Sequence, residues 1–571
     1  MRKMSSRADA QRRSREEAHE RRKNLRFLHP HHGTGPLFLL LCGCALLFSA
    51  SPLLGRSSPR IVTISSPSPL IQITVMLKAG SIDDPKGKEG LAYLTAKTLL
   101  QGGFGDPDDP VTKEELALIT RPWGEASKPS VSVAKEVTSF HLTVPEKVLD
   151  QYLKRVFQPL FNRPVFQVHE LERLRSETLE QITGSLRYED IEGLGLEAID
   201  SYVFEGMPYA HLAQGSVRGL EKISRADLLS FYVTHYRADN LIVGLSKDDP
   251  ALKERVGRIL AGIGQEVDAA RLKEQPLQKP RDFRGRSLVI IAQPNAASSG
   301  IHAAFPIPLT RKDPDFWPLY VANVFLGTHR DSFSYLFREI RQKRGYNYGN
   351  YSYVEHFAGR PSLLFPPFNT PRRYQYFSIW IRPVAHQYTH HLMKALTWEL
   401  ENFVRTGMTP QQVSLAKNKA KTLYLNLAET VSRLLEARVD DAYYDMLEEG
   451  YLTTYLKRID AVTTEQINRA IRKYLQAENI KYLVVTDDEV AGRLAEEVAA
   501  DRQAQGKSLT EYEITTVDQE GATFFAIPPA KLEIIKKDAV WAAYPLGISR
   551  TDIRVAPVEQ LFVSGGFLEE Q

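Results

Sequence analysis

Cysteine is nearly absent from this chain of 571 residues. The two cysteines, Cys42 and Cys44, both lie in an apolar run close to the N-terminus. The rest of the chain therefore forms no disulfide bond and has no thiolate nucleophile or thiolate metal ligand. Inside the apolar run, the two cysteines are best interpreted as small apolar residues of a signal segment.

A long apolar run is also missing. Residues 37–48 are uncharged and apolar, more apolar residues follow up to position 54, and a basic segment precedes them. This order is typical of an export signal, although the run is short for a transmembrane helix, which needs about 20 apolar residues. Phe48 and Pro52 make a poor cleavage site, and residues 41–44 are only loosely similar to a lipoprotein box. We predict an exported protein, periplasmic or extracytoplasmic, with residues 37–54 cleaved off or retained as a membrane anchor.

The body of the chain has no excess of charge of either sign. Residues 1–26 carry ten Lys/Arg and four Asp/Glu, so the net charge of +4 leaves −2 for the other 545 residues. Proteins that bind nucleic acid usually have a basic field, and we predict no nucleic-acid partner. The body also lacks a phosphate-binding loop, a nucleotide fingerprint and a Ser-His-Asp order.

The chain does contain an internal repeat with an offset of 239 residues. Ser224-Arg-Ala-Asp-Leu matches Thr463-Thr-Glu-Gln-Ile, and Ala238-Asp-Asn-Leu matches Ala477-Glu-Asn-Ile without a gap. Strand and helix patterns mix in each half without strict alternation, which predicts the α+β class. We therefore expect two tandem homologous domains, each with a mixed, mostly antiparallel sheet flanked by helices.

The length agrees with several domains, because one hydrophobic core rarely serves more than about 250–300 residues. The predicted order is a basic N-terminus with a signal or anchor segment (1–60), a first domain (61–264), a linker (265–286), a second domain (287–490), and a C-terminal helix with an extended tail (491–571).

One stretch of the second half combines arginines and tyrosines around Gly345. Residues 334–344 have apolar residues at helical spacing, so they are predicted to form an amphipathic helix that Gly345 ends. Aromatic and small polar residues then alternate from 346 to 353, as in a strand. Arg341 and Tyr348 could point into one space and offer hydrogen-bond donors to a carbonyl or an oxyanion. On spacing alone, an ion-paired surface helix beside an aromatic strand face is the simpler interpretation.

Arg341 and Tyr348, seven residues apart, resemble the Arg/Tyr pair in the C-terminal half of the insulinase-like (M16) zinc metallopeptidases. Residues 319–327, LYVANVFLG, and 313–315, DPD, are similar to the helix before that pair and to its entry. The resemblance covers about residues 70–490. It implies two M16-type, metallohydrolase-like domains. It also implies that the pair helps to hold substrate beside a zinc ion, which the N-terminal half or another subunit carries.

Residues 80–103, GSIDDPKGKEGLAYLTAKTLLQGG, resemble the family's loop and helix with the H-x-x-E-H motif. In that motif two His bind zinc and the Glu activates water. The matching positions here are Tyr93, Ala96 and Lys97, so both ligands and the base are missing, and an ammonium group disfavours a cation. Glu172 fits the place of the third family ligand, but one carboxylate cannot hold zinc. The resemblance therefore implies no metal and no cofactor in this chain.

The resulting hypothesis is a catalytically incomplete M16-like subunit that is inactive alone. It would supply Arg341 and Tyr348 to a partner chain with an intact H-x-x-E-H and its zinc, for cleavage or processing of a peptide or unfolded protein. The alternative is a non-catalytic, peptidase-like scaffold or peptide-binding protein in the cell envelope. A third hypothesis places zinc on His386 and His390, one helical turn apart, with no Glu between them in a base position.

Overall fold

The structure is a computed structural model that describes residues 58–264, 279–280, 283–359, 363–364, 368–507, 516–517, 523–524 and 529–569. The predicted signal or anchor segment, with Cys42 and Cys44, and most of the predicted linker lie outside these residues. Arg56–Gln571 cluster as one compact unit. Within the described part of the chain, no helix has the length and apolar character needed to cross a membrane.

The described strands form two large sheets and two small hairpins. In chain order they are β1 (Arg60–Thr63), β2 (Leu70–Leu77), β3 (Phe104–Asp106), β4 (Asp109–Val111), β5 (Ser130–Val133), β6 (Thr138–Pro145), β7 (Leu241–Leu245), β8 (Ser287–Ala292), β9 (Ser299–Ile307), β10 (Asn350–Tyr353), β11 (Gln375–Val384), β12 (Lys481–Thr486), β13 (Thr516–Val517), β14 (Thr523–Phe524) and β15 (Ile553–Pro557).

The two large sheets share one strand order. The first sheet runs β1-β7-β2-β6-β5, and the second runs β8-β12-β9-β11-β10 with β15 added outside β8. In both sheets the first of these pairs is parallel and the other three pairs are antiparallel. The predicted α+β class, with two tandem, mostly antiparallel sheets, is confirmed.

The repeat also holds at single-residue level. Ile242 on β7 and Lys481 on β12 are 239 residues apart, and they pair with Arg60 and Ser287, the first residues of β1 and β8. The offset found in the sequence therefore joins equivalent positions of the two sheets.

Helices flank both sheets. In chain order they are α1 (Leu91–Gln101), α2 (Lys113–Thr120), α3 (Leu149–Tyr152), α4 (Gln158–Asn162), α5 (Val168–Glu180), α6 (Ile191–Val203), α7 (Val217–Lys222), α8 (Arg225–His235), α9 (Pro250–Leu260), α10 (Phe316–Gly327), α11 (Thr389–Thr406), α12 (Pro410–Leu427), α13 (Val431–Tyr443), α14 (Tyr451–Ala461), α15 (Thr464–Tyr474), α16 (Asp488–Ala499) and α17 (Pro529–Ala543), with π-helical segments at Leu153–Phe157, Gln181–Glu189 and Phe337–Gln342.

Equivalent helices of the two halves start with the same local chemistry. The hydroxyls of Ser224 and Thr463 accept the N–H groups of Asp227 and Gln466 at the starts of α8 and α15. The Asp227 and Gln466 side chains accept the N–H groups of Ser224 and Thr463 in return. Such capping boxes satisfy donors that a helix start otherwise leaves free.

One helix of each half packs on the sheet of the other half. The first-half helix α6 packs on β9 and β12, while the second-half helix α13 packs on β1, β2 and β7. Two glycines permit these close contacts. A Cβ atom at Gly195 on α6 would lie 2.0 Å from His302 Nε2, and one at Gly244 on β7 would lie 2.5 Å from a Val439 methyl carbon.

Buried ion pairs also connect the two halves at this interface. Arg372 of the second half donates to both carboxylate oxygens of Asp200 on α6, at 2.7 and 3.3 Å, and Lys135 Nζ lies 3.7 Å from Asp200. Burial raises the pKa of Asp200, but the charges of Arg372 and Lys135 outweigh that effect and lower the pKa to about 2. The pair therefore stays charged inside the protein.

The residues after β12 fold back on both halves. Helix α16 packs on β8 and β15, and α17 packs on α11. Beyond β15, the carbonyls of Phe562 and Val563 accept the N–H groups of Val217 and Arg218 in the first half, at 3.0 and 2.9 Å.

The prediction of an extended tail is therefore wrong for most of its described part. Helix α17 has 15 residues, and β15 completes the second sheet. The reason is packing: Trp541 on α17 is fully buried, and the surface that covers it is formed by segments distant in sequence.

Candidate functional site

A short helix and a tight turn carry the two candidate donors. Leu336 and Ile340 are buried in the core of the second half and fix the helix, whose last part is π-helical. Gly345 follows with φ +66°, in the left-handed region that favours glycine. The predicted helix and its end at Gly345 are confirmed.

Arg341 and Tyr348 meet across this turn. A guanidinium N–H of Arg341 donates to the main-chain carbonyl of Tyr348 at 2.9 Å. The guanidinium carbon lies 5.6 Å from the centre of the Tyr348 ring and 5.0 Å from that of Phe337, within the range of a cation–π contact with each ring. One hydrogen bond thus fixes the turn that presents the tyrosine.

Both side chains keep donors free for a ligand. Tyr348 is 73% exposed. Within the described residues, its hydroxyl has no hydrogen-bond partner, and only one guanidinium nitrogen of Arg341 is used. A phenol and a planar guanidinium on one fixed turn can donate to a peptide carbonyl and to an oxyanion.

The strand after Gly345 is shorter than predicted. β10 begins at Asn350, so residues 346–349 are not part of the sheet. The side-chain amide of Asn347 donates to the carbonyls of Gly349 and Arg382, at 3.1 and 3.0 Å, and to Asn350 Oδ1 at 2.8 Å. Such side-chain bonds to nearby carbonyls compete with strand pairing and favour a turn.

Sequence reasoning did not single out Arg344, three residues after Arg341. Its side chain is fully buried and pairs with Asp538, 194 residues away. Arg344 follows the buried Leu336 and Ile340 by eight and four residues, so the helical spacing of the apolar residues places it on the buried face and could have identified it.

The helix α1 places the degenerate motif beneath strand β5. Ala96 is fully buried. Lys97 Nζ donates to the carbonyl of Val131 on β5 at 3.4 Å and lies 5.4 Å from the centre of the Tyr93 ring. Burial lowers the pKa of Lys97 and raises that of Tyr93. A methyl group, an ammonium and a phenol are not a zinc donor set, so these residues do not fit the metal.

Glu172 points away from this position. Its carboxylate pairs with Arg175 on its own helix, α5, and its side chain is 56% exposed. Burial raises the pKa of the Tyr93 hydroxyl, the neighbouring Thr178 lowers it, and the charge of Glu177 raises it. The part of α5 that faces the motif thus lies about six residues beyond Glu172.

His386 and His390 differ in their surroundings. The ring nitrogens of His386 contact Ser299 Oγ at 2.9 Å and the Ala296 carbonyl at 2.9 Å, so both are engaged. His390 is buried, and burial lowers its pKa to about 4. Across the residues that the structure describes, no group of three or more His, Cys, Asp or Glu could hold a metal ion.

Comparison with protein families identifies the family to which the chain belongs. Residues 60–190 match the model of insulinase (peptidase family M16), and residues 222–420 match the model of the peptidase M16 inactive domain. Together these matches span more than half of the chain; the first lies within the first half, and the second runs from the end of the first half into the second half. The chain belongs to the M16 peptidase family.

Curated relatives carry the name of zinc proteases. An uncharacterized zinc protease of Mycobacterium leprae (strain TN) is 23% identical over 346 residues, which are 60% of this chain and 72% of that protein. One of Mycobacterium tuberculosis (strain ATCC 25618 / H37Rv) is 23% identical over 309 residues, 54% of this chain and 65% of that protein. The matches thus span about two thirds of these relatives.

Solved structures share the fold. A peptidase M16 inactive domain from Pseudomonas fluorescens superposes with a TM-score of 0.63 at 18% identity, covering 76% of this chain and 96% of that one. A protease from Helicobacter pylori gives a TM-score of 0.62 at 16% identity, covering 75% and 97%. The two M16-type domains expected from the sequence are thereby confirmed.

Proposed function

We propose that this chain is the zinc-free subunit of a two-chain M16-like peptidase, and that Arg341 and Tyr348 hold the substrate beside the zinc of the partner chain. The observation that carries the proposal is a contrast between the two halves. The motif positions of α1 hold no zinc donor, while the second half keeps two exposed donors on a fixed turn.

The division of chemistry follows from the donors that are present. The partner's zinc would polarise the scissile carbonyl and activate water. Arg341 would donate to a carbonyl of the peptide backbone. The hydroxyl of Tyr348 would donate to the oxygen that becomes negative in the tetrahedral intermediate.

The comparisons support this proposal at a coarser level. The inactive-domain model matches the half that contains Arg341 and Tyr348, and the relatives are named zinc proteases. The substrate that we propose is a peptide or an unfolded protein segment. From the N-terminal sequence pattern, we propose an extracytoplasmic location.

Replacement of Tyr348 by Phe tests the role of the hydroxyl. Loss of one oxyanion donor typically lowers turnover by about 100- to 1,000-fold. We expect Tyr348→Phe to lower kcat of the two-chain complex in this range and to leave assembly intact, because the hydroxyl has no partner within the described residues. The measurement is peptide cleavage by the complex reconstituted with a zinc-bearing M16 chain, with assembly followed by gel filtration.

Tyr188→Phe is the matched control. Tyr188 is also exposed, and its hydroxyl bonds Glu559. Arg341→Lys should also reduce cleavage, because a point charge cannot replace a planar fork, but it removes the bond to the Tyr348 carbonyl as well. Full activity of both Tyr348→Phe and Arg341→Lys would exclude the proposal and favour a peptidase-like scaffold or peptide-binding protein.

A further inference from the structure

The helix and turn that carry Arg341 and Tyr348 contact residues that follow both family matches, the second of which ends at residue 420. We propose that the C-terminal segment, residues 501–507 and 529–543, positions this turn, and that the Arg344–Asp538 ion pair is its main contact. The link to substrate rests on the proposed function, whereas the support of the turn does not.

Arg344 is the centre of the contact. Its guanidinium is fully buried, and its Nε donates to Asp538 Oδ1 at 2.5 Å. A second nitrogen donates to the main-chain carbonyl of Glu339 at 2.6 Å, and the guanidinium carbon lies 3.9 Å from the centre of the Trp541 ring. Asp538 and Trp541 both belong to α17. A buried guanidinium is costly without such partners, so α17 decides where Arg344 lies.

Arg344 is the residue directly before Gly345. Its position therefore sets the direction in which the chain leaves the helix toward Tyr348. Arg341, one helical turn earlier, is held to the same helix. A displacement of Arg344 would change the geometry of both donors at once.

Lys507 caps the end of this helix. Its ammonium donates to the carbonyls of Arg344 and Gly345, at 2.9 and 3.2 Å, and its N–H donates to the Tyr346 hydroxyl at 3.1 Å. The last carbonyls of a helix have no partner inside the helix, and a cation there is favourable. Lys507 thus fixes the first residues of the turn by their backbone.

Lys537 joins the helix to α11. Its ammonium donates to Glu339 Oε2 at 3.0 Å and pairs with Glu399 on α11. Glu399 is buried and also accepts the hydroxyl of Tyr335, at the start of the helix. The C-terminal segment therefore contacts the helix near its start, in its middle and at its end.

Hydrogen–deuterium exchange of the full-length chain, without partner or substrate, tests the proposal. Asp538→Asn keeps the shape of the side chain but removes the nearer of the two carboxylates that pair with Arg344, leaving Glu339 at 3.3 Å. We expect the amide exchange rates of Gly345 and Tyr346, whose N–H groups donate to the carbonyls of Arg341 and Ile340, to rise about tenfold or more, since protection there depends on local opening. Exchange in the first half should not change.

Lys536→Gln is the matched control, because Lys536 is exposed and, among the described residues, its ion pair is with the exposed Glu533. It should leave the exchange of Gly345 and Tyr346 as in the parent chain. If Asp538→Asn does not fold, Lys507→Met removes the cap alone and should raise exchange at the same residues. Unchanged exchange in a folded Asp538→Asn or in Lys507→Met would overturn the proposal.

The activity of the reconstituted complex separates the two proposals. Where both hold, Asp538→Asn lowers kcat/KM about tenfold or more without loss of assembly, because misplaced donors bind the transition state less well. Faster exchange together with full activity of Tyr348→Phe would mean that the C-terminal segment positions the turn but that the turn does not serve catalysis.

Discussion

At the residue scale, the side chain of Tyr348 is exposed although the backbone around it is fixed by hydrogen bonds. Its ring is at the surface, yet its carbonyl is bound by Arg341 and the turn around it is held by Asn347. Donors that are fixed before substrate arrives cost little reorganisation in the transition state. An exposed tyrosine on a mobile loop would lose that advantage.

Asp440 on α13 gives a prediction about pH. Burial raises its pKa to about 7, the charge of Arg311 opposes this, and the charge of Glu436 adds to it. The carboxyl is therefore protonated in the folded protein over a range where the unfolded chain is ionised. Its contribution to stability is complete below about pH 4 and is lost as pH rises to about 7.

Asp440→Asn should remove this dependence of the free energy of unfolding on pH. We expect the variant to be more stable than the parent at pH 7.5 by roughly 1–2 kcal/mol and nearly equal to it at pH 4. Urea unfolding at both pH values measures the difference. Asp445→Asn, at an exposed carboxylate, should show no such trend, and a parent-like pH profile for Asp440→Asn would contradict the assignment.

At the element scale, α1 keeps the shape of a metal-binding helix without its ligands. Positions 93 and 97 are one turn apart and face the same side, with the Tyr93 ring against Lys97. Ala96 is fully buried, so a Glu there would be a buried charge without a partner. The helix is thus adapted to packing under β5.

A designed zinc site on α1 tests which carboxylate faces it. We expect the parent chain to hold no stoichiometric zinc, and Tyr93→His with Lys97→His to bind about one, since two His one turn apart share a zinc ion. Elemental analysis after dialysis measures the content. Because Glu172 is exposed and paired with Arg175, while Glu177 lies near enough to Tyr93 to raise its pKa, Glu177→Gln should abolish binding in this background and Glu172→Gln should not. The opposite pattern would return Glu172 to the site.

Local sequence predicted some of these elements well and others poorly. The helix ending at Gly345 follows from apolar spacing and one glycine, and the capped starts at Ser224 and Thr463 follow from residues three apart. The strand from 346 to 353 was predicted too long, because Asn347 forms bonds that alternation does not reveal. The ion pair of Arg344 with Asp538 joins residues that are 194 positions apart, and no local pattern predicts such a pair.

At the scale of the whole molecule, a helix of each half packs on the sheet of the other half, and buried charged residues of the two halves form an ion pair. The sheet of each half is covered by a helix of the other half, and Arg372 reaches across to Asp200. Neither half can therefore bury its own sheet completely. We expect the described body to unfold as one cooperative unit.

Arg372→Met tests this coupling. Removal of one partner from a buried pair leaves Asp200 uncompensated except by Lys135, which we expect to cost about 3 kcal/mol. Calorimetry should show one transition at a lower Tm. Arg493→Met, at an exposed pair of 4.0 Å, should change Tm little. Two separate transitions, with only one of them shifted, would show that the halves unfold independently.

The position of β15 and α17 near the end of the chain has a consequence for synthesis on the ribosome. Domains generally fold as the chain emerges, N-terminal part first. Here the second sheet lacks its outer strand, and Arg344 lacks Asp538 and Trp541, until residues 529–557 have been made. A nascent or truncated product that ends near residue 500 would carry the Arg341–Tyr348 segment with Arg344 bonded to Glu339 of its own helix but without its contacts to Asp538 and Trp541. Synthesis must therefore pass residue 543 before the donor turn can take its final form.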